Sequence, residues 1–250
     1  LQGKRVREFC QDNQGILWIG TEDGGLNRFN PKTKTFSFFT PSNAFTNVHG
    51  LCMVGDNLWV GTFSKGVKVV DTRTGAIVKT YLKTESPHSL VDNSVFSICR
   101  TTTGDIYLGT LFGLLRYNKQ LDGFDRIPEL NGKFVYDIKE DSGGNLWLAT
   151  YANGAYCYNV NEKRWKNYLH DENNPKSLPY DKVVSIFEDS HRQVWLTTQG
   201  GGFCCFHSDT ETFTNYSLAD GLPNDVVYQI VEDKEGFFWL TTNNGLVCFQ

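Results

Sequence analysis

Hydrophobic and polar positions alternate along this chain in short runs that end at Gly, Asn, Asp or Pro. Runs such as Val95-Phe96-Ser97-Ile98 are rich in β-branched and aromatic side chains, as is typical of β-strands. No stretch keeps a 3.6-residue hydrophobic period over the length of a helix. The pattern therefore predicts an all-β protein made of many short strands.

The strands belong to a repeat. Its clearest element, here called the anchor motif, is an aromatic residue, then any residue, a small residue and Thr. Six copies follow one another at intervals of 41, 48, 40, 48 and 44 residues, and such a period indicates a repeat architecture. The aromatic positions of the anchor motif are Trp18, Trp59, Tyr107, Trp147, Trp195 and Trp239.

Each repeat unit reads as four strands. An apolar residue precedes the anchor by eight or nine positions, and a Gly follows it by six or seven. A repeated four-stranded unit of this length predicts a β-propeller, in which neighbouring blades bury the faces that one blade leaves open. We expect one propeller region of about six four-stranded blades, the last without its outer strand, with the anchor aromatics between blades. The approximate units are 6–47, 48–94, 95–134, 135–182, 183–225 and 226–250.

The number of blades in the closed ring stays open at this point. Six units at the observed spacing need more than the 250 residues present, and the chain begins at Leu1 rather than Met. We expect six consecutive blades excised from a longer propeller array. Closure of six blades with an incomplete last one, or membership of a seven-bladed ring, is the alternative.

The repeat consensus resembles the two-component regulator propeller repeat. A Leu-Pro-x-Asp-x-Val step joins the units, as at 178–183 and 222–227. Unit 2 departs most from the pattern, because its first turn is one residue short. Unit 1 fits best, with Asp12, Gly15, Trp18, Gly20, Thr21, Gly25, Leu26, Arg28 and Phe29 in place.

The resemblance implies a function. Repeats of this family build the extracytoplasmic sensor of hybrid two-component systems in Bacteroides-type bacteria, where they sense glycan fragments in the periplasm. It also implies a second propeller, an immunoglobulin-like domain and a membrane span in the same chain, a homodimer, and a cytoplasmic histidine kinase. On this view the present region is not itself an enzyme.

Composition and charge narrow the choice further. With 40% hydrophobic and 21% charged residues, the chain suits a folded core. Its net charge of −4, without a Lys/Arg cluster, argues against nucleic acid as a partner. The seven Cys lack a Cys-x-x-Cys pair, so we expect small buried side chains, no metal and no cofactor. We interpret the recurrent Asp12, Asp141, Asp189 and Asp233 as turn formers.

The candidate ligand site lies in the turns after the anchor motif and in the connections between blades, which should emerge at one end of each blade. Aromatic rings stand there in three adjacent units where a polar turn is usual, and rings beside amide and charged groups suit sugars. Phe45 and His88 are expected at the same face. The predicted ligand-binding residues are Phe63, Phe112, Tyr151, Gln199, Asn243, Tyr180, Lys182 and Asp23.

Three functions remain possible on sequence grounds. The leading one is an oligosaccharide-sensing module. The second is a propeller enzyme, a polysaccharide lyase or glycosidase, which would need an acid–base pair that departs from the repeat, and we find none. The third is a pure scaffold, in which the propeller serves only as a dimerisation or domain-stacking surface. Binding of oligosaccharides distinguishes the sensing module from the scaffold, and substrate turnover distinguishes the enzyme from both.

Overall fold

Six antiparallel β-sheets make up the fold. A computed structural model describes residues 1–39 and 45–249, which form 23 β-strands and two three-residue 3-10 helices, Pro128–Leu130 and Leu218–Asp220. Five sheets have four strands and the sixth has three, each paired in chain order. The predicted all-β propeller of six blades, the last without an outer strand, is confirmed. No helix in the described ranges is long and apolar enough to cross a bilayer.

The first compact unit, Leu1–Gly132, contains blades 1 to 3, and the first strands of consecutive blades lie side by side within it. Blade 1 comprises β1 (Val6–Gln11), β2 (Leu17–Thr21), β3 (Gly25–Asn30) and β4 (Thr35–Phe38). Blade 2 comprises β5 (Val48–Val54), β6 (Asn57–Thr62), β7 (Val67–Asp71) and β8 (Ile77–Tyr81). Blade 3 comprises β9 (Val95–Arg100), β10 (Ile106–Thr110), β11 (Gly113–Asn118) and β12 (Gly123–Arg126).

The second compact unit begins at Lys133 and contains blades 4 to 6, again with the first strands side by side. Blade 4 comprises β13 (Val135–Glu140), β14 (Leu146–Thr150), β15 (Ala155–Asn159) and β16 (Arg164–Tyr168). Blade 5 comprises β17 (Val183–Glu188), β18 (Val194–Thr198), β19 (Phe203–His207) and β20 (Thr212–Tyr216). Blade 6 comprises β21 (Val227–Glu232), β22 (Phe238–Thr242) and β23 (Gly245–Phe249).

A turn carboxylate fixes the anchor tryptophan in four blades. In blade 1, Asp12 Oδ1 accepts the N–H groups of Gln14 and Ile16, each at 2.9 Å, and Oδ2 accepts the Trp18 indole N–H at 2.8 Å. One side chain therefore closes the turn between the first two strands and orients the ring. The turn-forming role predicted for the recurrent Asp is confirmed. The same three bonds recur at Asp141, Asp189 and Asp233.

The anchor threonine and the repeat glycine close the next turn together. Thr150 Oγ1 donates to the Gly154 carbonyl oxygen at 2.6 Å, and the equivalent bond occurs in all six blades. Gly154 has φ +69°, and an added Cβ would lie 2.1 Å from the Tyr168 carbonyl oxygen. The left-handed backbone and the close strand both require Gly here, which explains its recurrence.

Four of the six anchor aromatics are buried in the cores that join neighbouring blades. Trp147 stacks on Tyr168 of its own blade and meets Phe206 of the next, with ring centroids 5.8 and 4.9 Å apart. Trp239 is 37% exposed. Tyr107 is half-buried. The anchors buried against a following blade of the same unit, or in its core, are Trp18, Trp59, Trp147 and Trp195.

Candidate ligand-binding surface

A β-bulge occurs at the same place in every blade. The first strand pairs with the second, but the register shifts by one residue directly after the first paired position. The extra residue is unpaired in the ladder, so the direction of its side chain changes. Bulges often redirect a side chain in this way beside functional sites. We call it the bulge residue. The bulge residues of blades 1 to 6 are Arg7, His49, Phe96, Tyr136, Val184 and Tyr228.

A second repeated feature brings the turn after the anchor to the bulge. The first residue after the anchor Thr, here called the turn residue, donates its N–H to the carbonyl oxygen two positions before the bulge residue. These bonds measure 2.9 to 3.3 Å in all six blades. The backbone thus holds the two side chains at one end of each blade, although they are 14 or 15 residues apart. The turn residues are Glu22, Phe63, Leu111, Tyr151, Gln199 and Asn243.

The two side chains touch in four blades, and we call each such couple a bulge–turn pair. The contacts differ in chemistry, although the bulge and the turn hydrogen bond, here called the backbone frame, are the same in every blade. One is an ion pair, one an imidazole–phenyl contact, one a stack of two tyrosines and one a hydroxyl–amide bond. The pairs are Arg7–Glu22, His49–Phe63, Tyr136–Tyr151 and Tyr228–Asn243.

In the first unit the surface is aromatic and charged. His49 lies 4.8 Å from the Phe96 ring and 6.5 Å from the Phe63 ring, measured between centroids, and the two phenyl rings are 6.2 Å apart. Burial, reinforced by the charge of Arg7, lowers the pKa of His49 to about 4, so its imidazole is neutral at pH 7. Partial burial raises the pKa of Glu22, but the Arg7 hydrogen bond and the charges of Arg7 and Arg5 together outweigh it and hold the pKa below its ordinary value.

In the second unit a cluster of aromatic rings surrounds Tyr151. Its ring lies 6.2 Å from Tyr136, with planes 27° apart, and 5.3 Å from Phe134. The Lys182 ammonium nitrogen lies 5.2 Å from the centroid of the same ring, which is a cation–π contact. All four side chains are half-buried, so each keeps part of its surface open to solvent.

Polar groups continue this cluster across blades 5 and 6. Gln199 donates its N–H to the Lys182 carbonyl oxygen at 2.9 Å and bridges to Val226. The Asn243 N–H bonds the Val226 carbonyl oxygen at 3.3 Å, and its Oδ1 accepts the Tyr228 hydroxyl at 2.6 Å. An unbroken series of contacts therefore links Tyr151, Lys182, Gln199 and Asn243.

Tyr180 adds an exposed ring to the second unit. Its side chain is 38% exposed and lies over Gly200, where an added Cβ would meet the ring at 3.1 Å. Gly200 has φ +140° and no side chain, so the ring can lie flat against the turn. Tyr180, Lys182, Tyr151, Gln199 and Asn243, all predicted from sequence, thus come together in one unit.

Two buried amide oxygens at these turns have no hydrogen-bond donor within the described residues. They are Oε1 of Gln199 and Oδ1 of Asn47, whose own carbonyl accepts the turn N–H of blade 2. A buried acceptor without a donor costs about 1–3 kcal/mol. Such acceptors occur where a water or ligand hydroxyl completes the bonding.

The three predicted residues of the first unit have different positions. Phe63 is the turn residue of blade 2 and is 44% exposed. Phe112 is 50% exposed but is not the turn residue of blade 3. The turn of blade 3 is one residue shorter than that of blade 2, so Leu111 is the turn residue and Phe112 follows it. Asp23 follows turn residue Glu22; its carboxylate accepts the Lys4 and Arg5 N–H groups, and the Lys4 bond contributes most to lowering its pKa.

Two other expectations are corrected. Phe45 is 5% exposed and packs in the core between blades 1 and 2, since the apolar contact with Leu26 and Val48 outweighs exposure at a surface. His88 lies beside the outermost strand of blade 3, with Nδ1 3.3 Å from Asp125 Oδ1, rather than at the first strand.

Sequence reasoning missed the bulge residues, above all Tyr136 and Tyr228. A signal was present: the first strand of each unit starts with Val, and the next residue changes from Arg to His, Phe, Tyr, Val and Tyr. The Val is buried in blades 2 to 6, and the varying residue after it is half-buried or exposed in every blade except blade 5, where Val184 is buried. In the described residues, no three His, Cys, Asp or Glu side chains come together to hold a metal ion, and all seven thiols are free.

Comparison with known proteins relates three segments of the chain to a repeat family. A family model for the two-component regulator propeller matches residues 1–23, 129–152 and 221–244. Each matched segment ends two residues beyond an anchor Thr and contains one bulge–turn pair. Histidine kinase P4 of Formosa agariphila is 25% identical over an alignment of 157 residues, which covers 58% of this chain and 12% of the kinase.

Solved structures share the fold. The extracellular domain of a hybrid two-component system from B. thetaiotaomicron matches all of this chain and 34% of its own length, with a TM-score of 0.80 and 22% identity. Virginiamycin B lyase from Staphylococcus aureus matches 99% of this chain and 85% of its own length, with a TM-score of 0.74 and 16% identity. At these identities the likeness is one of fold alone, and the chain spans about a third of the extracellular domain. Segments in blades 1, 4 and 6 therefore match the two-component regulator propeller repeat.

Proposed function

We propose that this chain is the ligand-sensing module of a periplasmic two-component sensor and that its ligand is an oligosaccharide. Support comes from the family of its repeats and from its relatives, which include a histidine kinase and an extracellular two-component domain. In this proposal a second propeller and an immunoglobulin-like domain of the same protein connect the module to a cytoplasmic kinase, and the full sensor acts as a homodimer.

The observation that carries the proposal is the cluster in blades 4 to 6. Half-buried and exposed rings of Tyr136, Tyr151 and Tyr180 lie at the same blade ends as the amides of Gln199 and Asn243. Sugar rings offer C–H faces for stacking and hydroxyls for hydrogen bonds at their edges, and this surface supplies both partners. The donor that Gln199 Oε1 lacks is one that a sugar hydroxyl can provide.

The proposal gives this chain no catalytic step. The lyase likeness rests on 16% identity and carries the fold only. The acidic residues that recur in the repeat are bound to turn N–H groups and indole nitrogens, as at Asp141 and Asp189, so they are structural. Binding of the ligand, rather than its conversion, is the function that the surface supports.

A thermal-shift screen against oligosaccharide digests tests the proposal. A ligand that binds only the folded protein raises the melting temperature with its concentration. We expect at least one digest to do so in the purified protein, and the shift to shrink when Tyr151 is replaced by Ala. If no digest of plant, algal or host polysaccharides changes the melting temperature, the sensing role of this chain is wrong.

A further inference from the structure

Lys182 is placed to decide which sugars can reach Tyr151. Its ammonium lies over the Tyr151 ring, while Tyr136 and Phe134 pack around the same ring. A sugar that stacks on the face of Tyr151 beneath Lys182 must displace this ammonium group. Building on the proposed function, we infer that the ligand is an acidic oligosaccharide, bearing carboxylate or sulfate groups, and that Lys182 binds one of them.

The first step in the argument is the exchange that binding requires. A neutral sugar that displaces Lys182 removes a cation–π contact and offers the ammonium only hydroxyl groups in return. An acidic sugar offers an anion within reach of the displaced ammonium, and a charge-assisted bond is stronger than a neutral one. The same movement is therefore unfavourable for a neutral sugar and favourable for an acidic one.

The second step is that Lys182 has no internal counter-ion. In the described ranges, no carboxylate oxygen lies within 4.0 Å of the Lys182 or Lys133 ammonium groups. Lys133 lies 5.9 Å from the Tyr156 ring at the start of the same blade. Two lysines thus stand over tyrosine rings in blade 4 and its neighbouring connection.

A lysine elsewhere in blade 4 shows the contrast. Lys166 on the outer strand β16 forms ion pairs with Glu162 and Glu211, so its charge is balanced within the fold. Asp181, adjacent to Lys182 in sequence, uses its Oδ1 to accept the His170 N–H at 2.8 Å. Unlike Lys166, Lys182 has an ammonium group with no carboxylate partner, and this group lies beside the Tyr151 ring. A group that binds an external anion needs such a free charge.

The experiment separates digests by charge. Enzymatic digests of pectin, a sulfated galactan and a neutral xylan are divided by anion exchange into retained and unretained fractions. Each fraction is tested for its effect on the melting temperature of the purified protein and of Lys182→Gln. Lys234→Gln is the matched control, because Lys234 is an exposed lysine in the turn at the opposite end of blade 6.

We expect only retained fractions to stabilise the protein, and added NaCl to weaken the effect, as it does for ionic contacts. For the active oligosaccharide, Lys182→Gln should raise the Kd about tenfold or more, and Lys234→Gln should leave it unchanged. Uronate fractions from pectin and sulfated fractions from galactan identify which anion is bound.

Each other result has a definite meaning. Stabilisation by an unretained fraction overturns the acidic ligand and leaves the sensing function standing. Binding of a retained fraction that is equally strong in Lys182→Gln overturns the role of Lys182. If no fraction stabilises the protein, the proposed function itself fails, so the two hypotheses are tested separately.

Discussion

Tyr136 and Tyr151 stack with ring centroids 6.2 Å apart and planes 27° apart, although one belongs to the first strand of blade 4 and the other follows the second. A bulge redirects the side chain of Tyr136. The N–H of Tyr151 donates to the carbonyl oxygen of Phe134, which lies two residues before Tyr136. The stack is therefore built by the backbone frame and presents two phenol rings at one blade end.

Replacing Tyr151 tests the stacking role directly. We expect Tyr151→Ala to weaken oligosaccharide binding by about 1 kcal/mol or more, because an aromatic stacking surface is removed. Tyr151→Phe should keep most of the affinity if stacking dominates and lose it if the hydroxyl bond does. Isothermal titration with the active oligosaccharide measures both.

The control for this test is Tyr158→Ala. Tyr158 also belongs to blade 4 but packs on Trp165 of the outer strand, with ring centroids 5.2 Å apart. Equal losses of affinity in Tyr158→Ala and Tyr151→Ala would mean that the effect comes from the stability of the blade and not from the surface.

The anchor tryptophans should differ in their contribution to stability. Trp147→Ala should lower the free energy of unfolding by roughly 3–5 kcal/mol, because a buried ring at the interface of blades 4 and 5 is lost. Trp239→Ala should cost clearly less, since its ring is 37% exposed. Lys163→Ala, on an exposed turn, should change stability by about 0.5 kcal/mol or less. Urea unfolding followed by circular dichroism gives all three values, and equal midpoints for the two Trp variants would contradict the packing described.

His49 predicts a pH dependence of stability. Its pKa falls from 6.5 to about 4 in the folded chain, mainly because it is buried and also because Arg7 is near. Between these values the unfolded chain binds more protons, so stability decreases as the pH is lowered through this range. We expect His49→Gln to reduce the dependence of the melting temperature on pH between about 5 and 6.5. An unchanged slope would show that His49 titrates normally in the folded state.

The proposed absence of catalysis is also open to test. The purified protein should release no reducing ends and no unsaturated products from any polysaccharide whose fragments bind it. A single reproducible turnover, lost in a variant of one surface residue such as Glu22→Gln, would favour the enzyme over the sensor.

The fold was predictable because the same sequence pattern occurs six times, once in each blade. Three residues recur at nearly constant spacing: the anchor aromatic, the anchor Thr and the repeat Gly. In blade 4 the Thr bonds the Gly carbonyl oxygen, and the Gly has φ +69°. Each has a local cause, namely packing, a turn bond or a backbone conformation. Patterns with local causes can be read from one chain.

The site was less predictable because its geometry depends on strand pairing. A bulge adds one residue against a partner strand, and alternation in one strand does not reveal it, so Tyr136 and Tyr228 were missed. The blade 3 turn is one residue shorter than that of blade 2, which shifted the expected equivalence from Leu111 to Phe112. The position of Lys182 over Tyr151 depends on side-chain conformations that no spacing rule gives.

The repeated bulge separates the atoms that hold a blade together from those that would meet the proposed ligand. The frame consists of main-chain bonds, an anchor Thr and a Gly, whereas the bulge residue and the turn residue take no side-chain part in it. The same frame already carries an ion pair at Arg7–Glu22 and a hydroxyl–amide bond at Tyr228–Asn243. Changing these two residues in a blade therefore alters the chemistry of the candidate surface and leaves the frame intact. A library limited to such positions, outside blade 5 where Val184 is buried, would explore new surface contacts at little cost to folding.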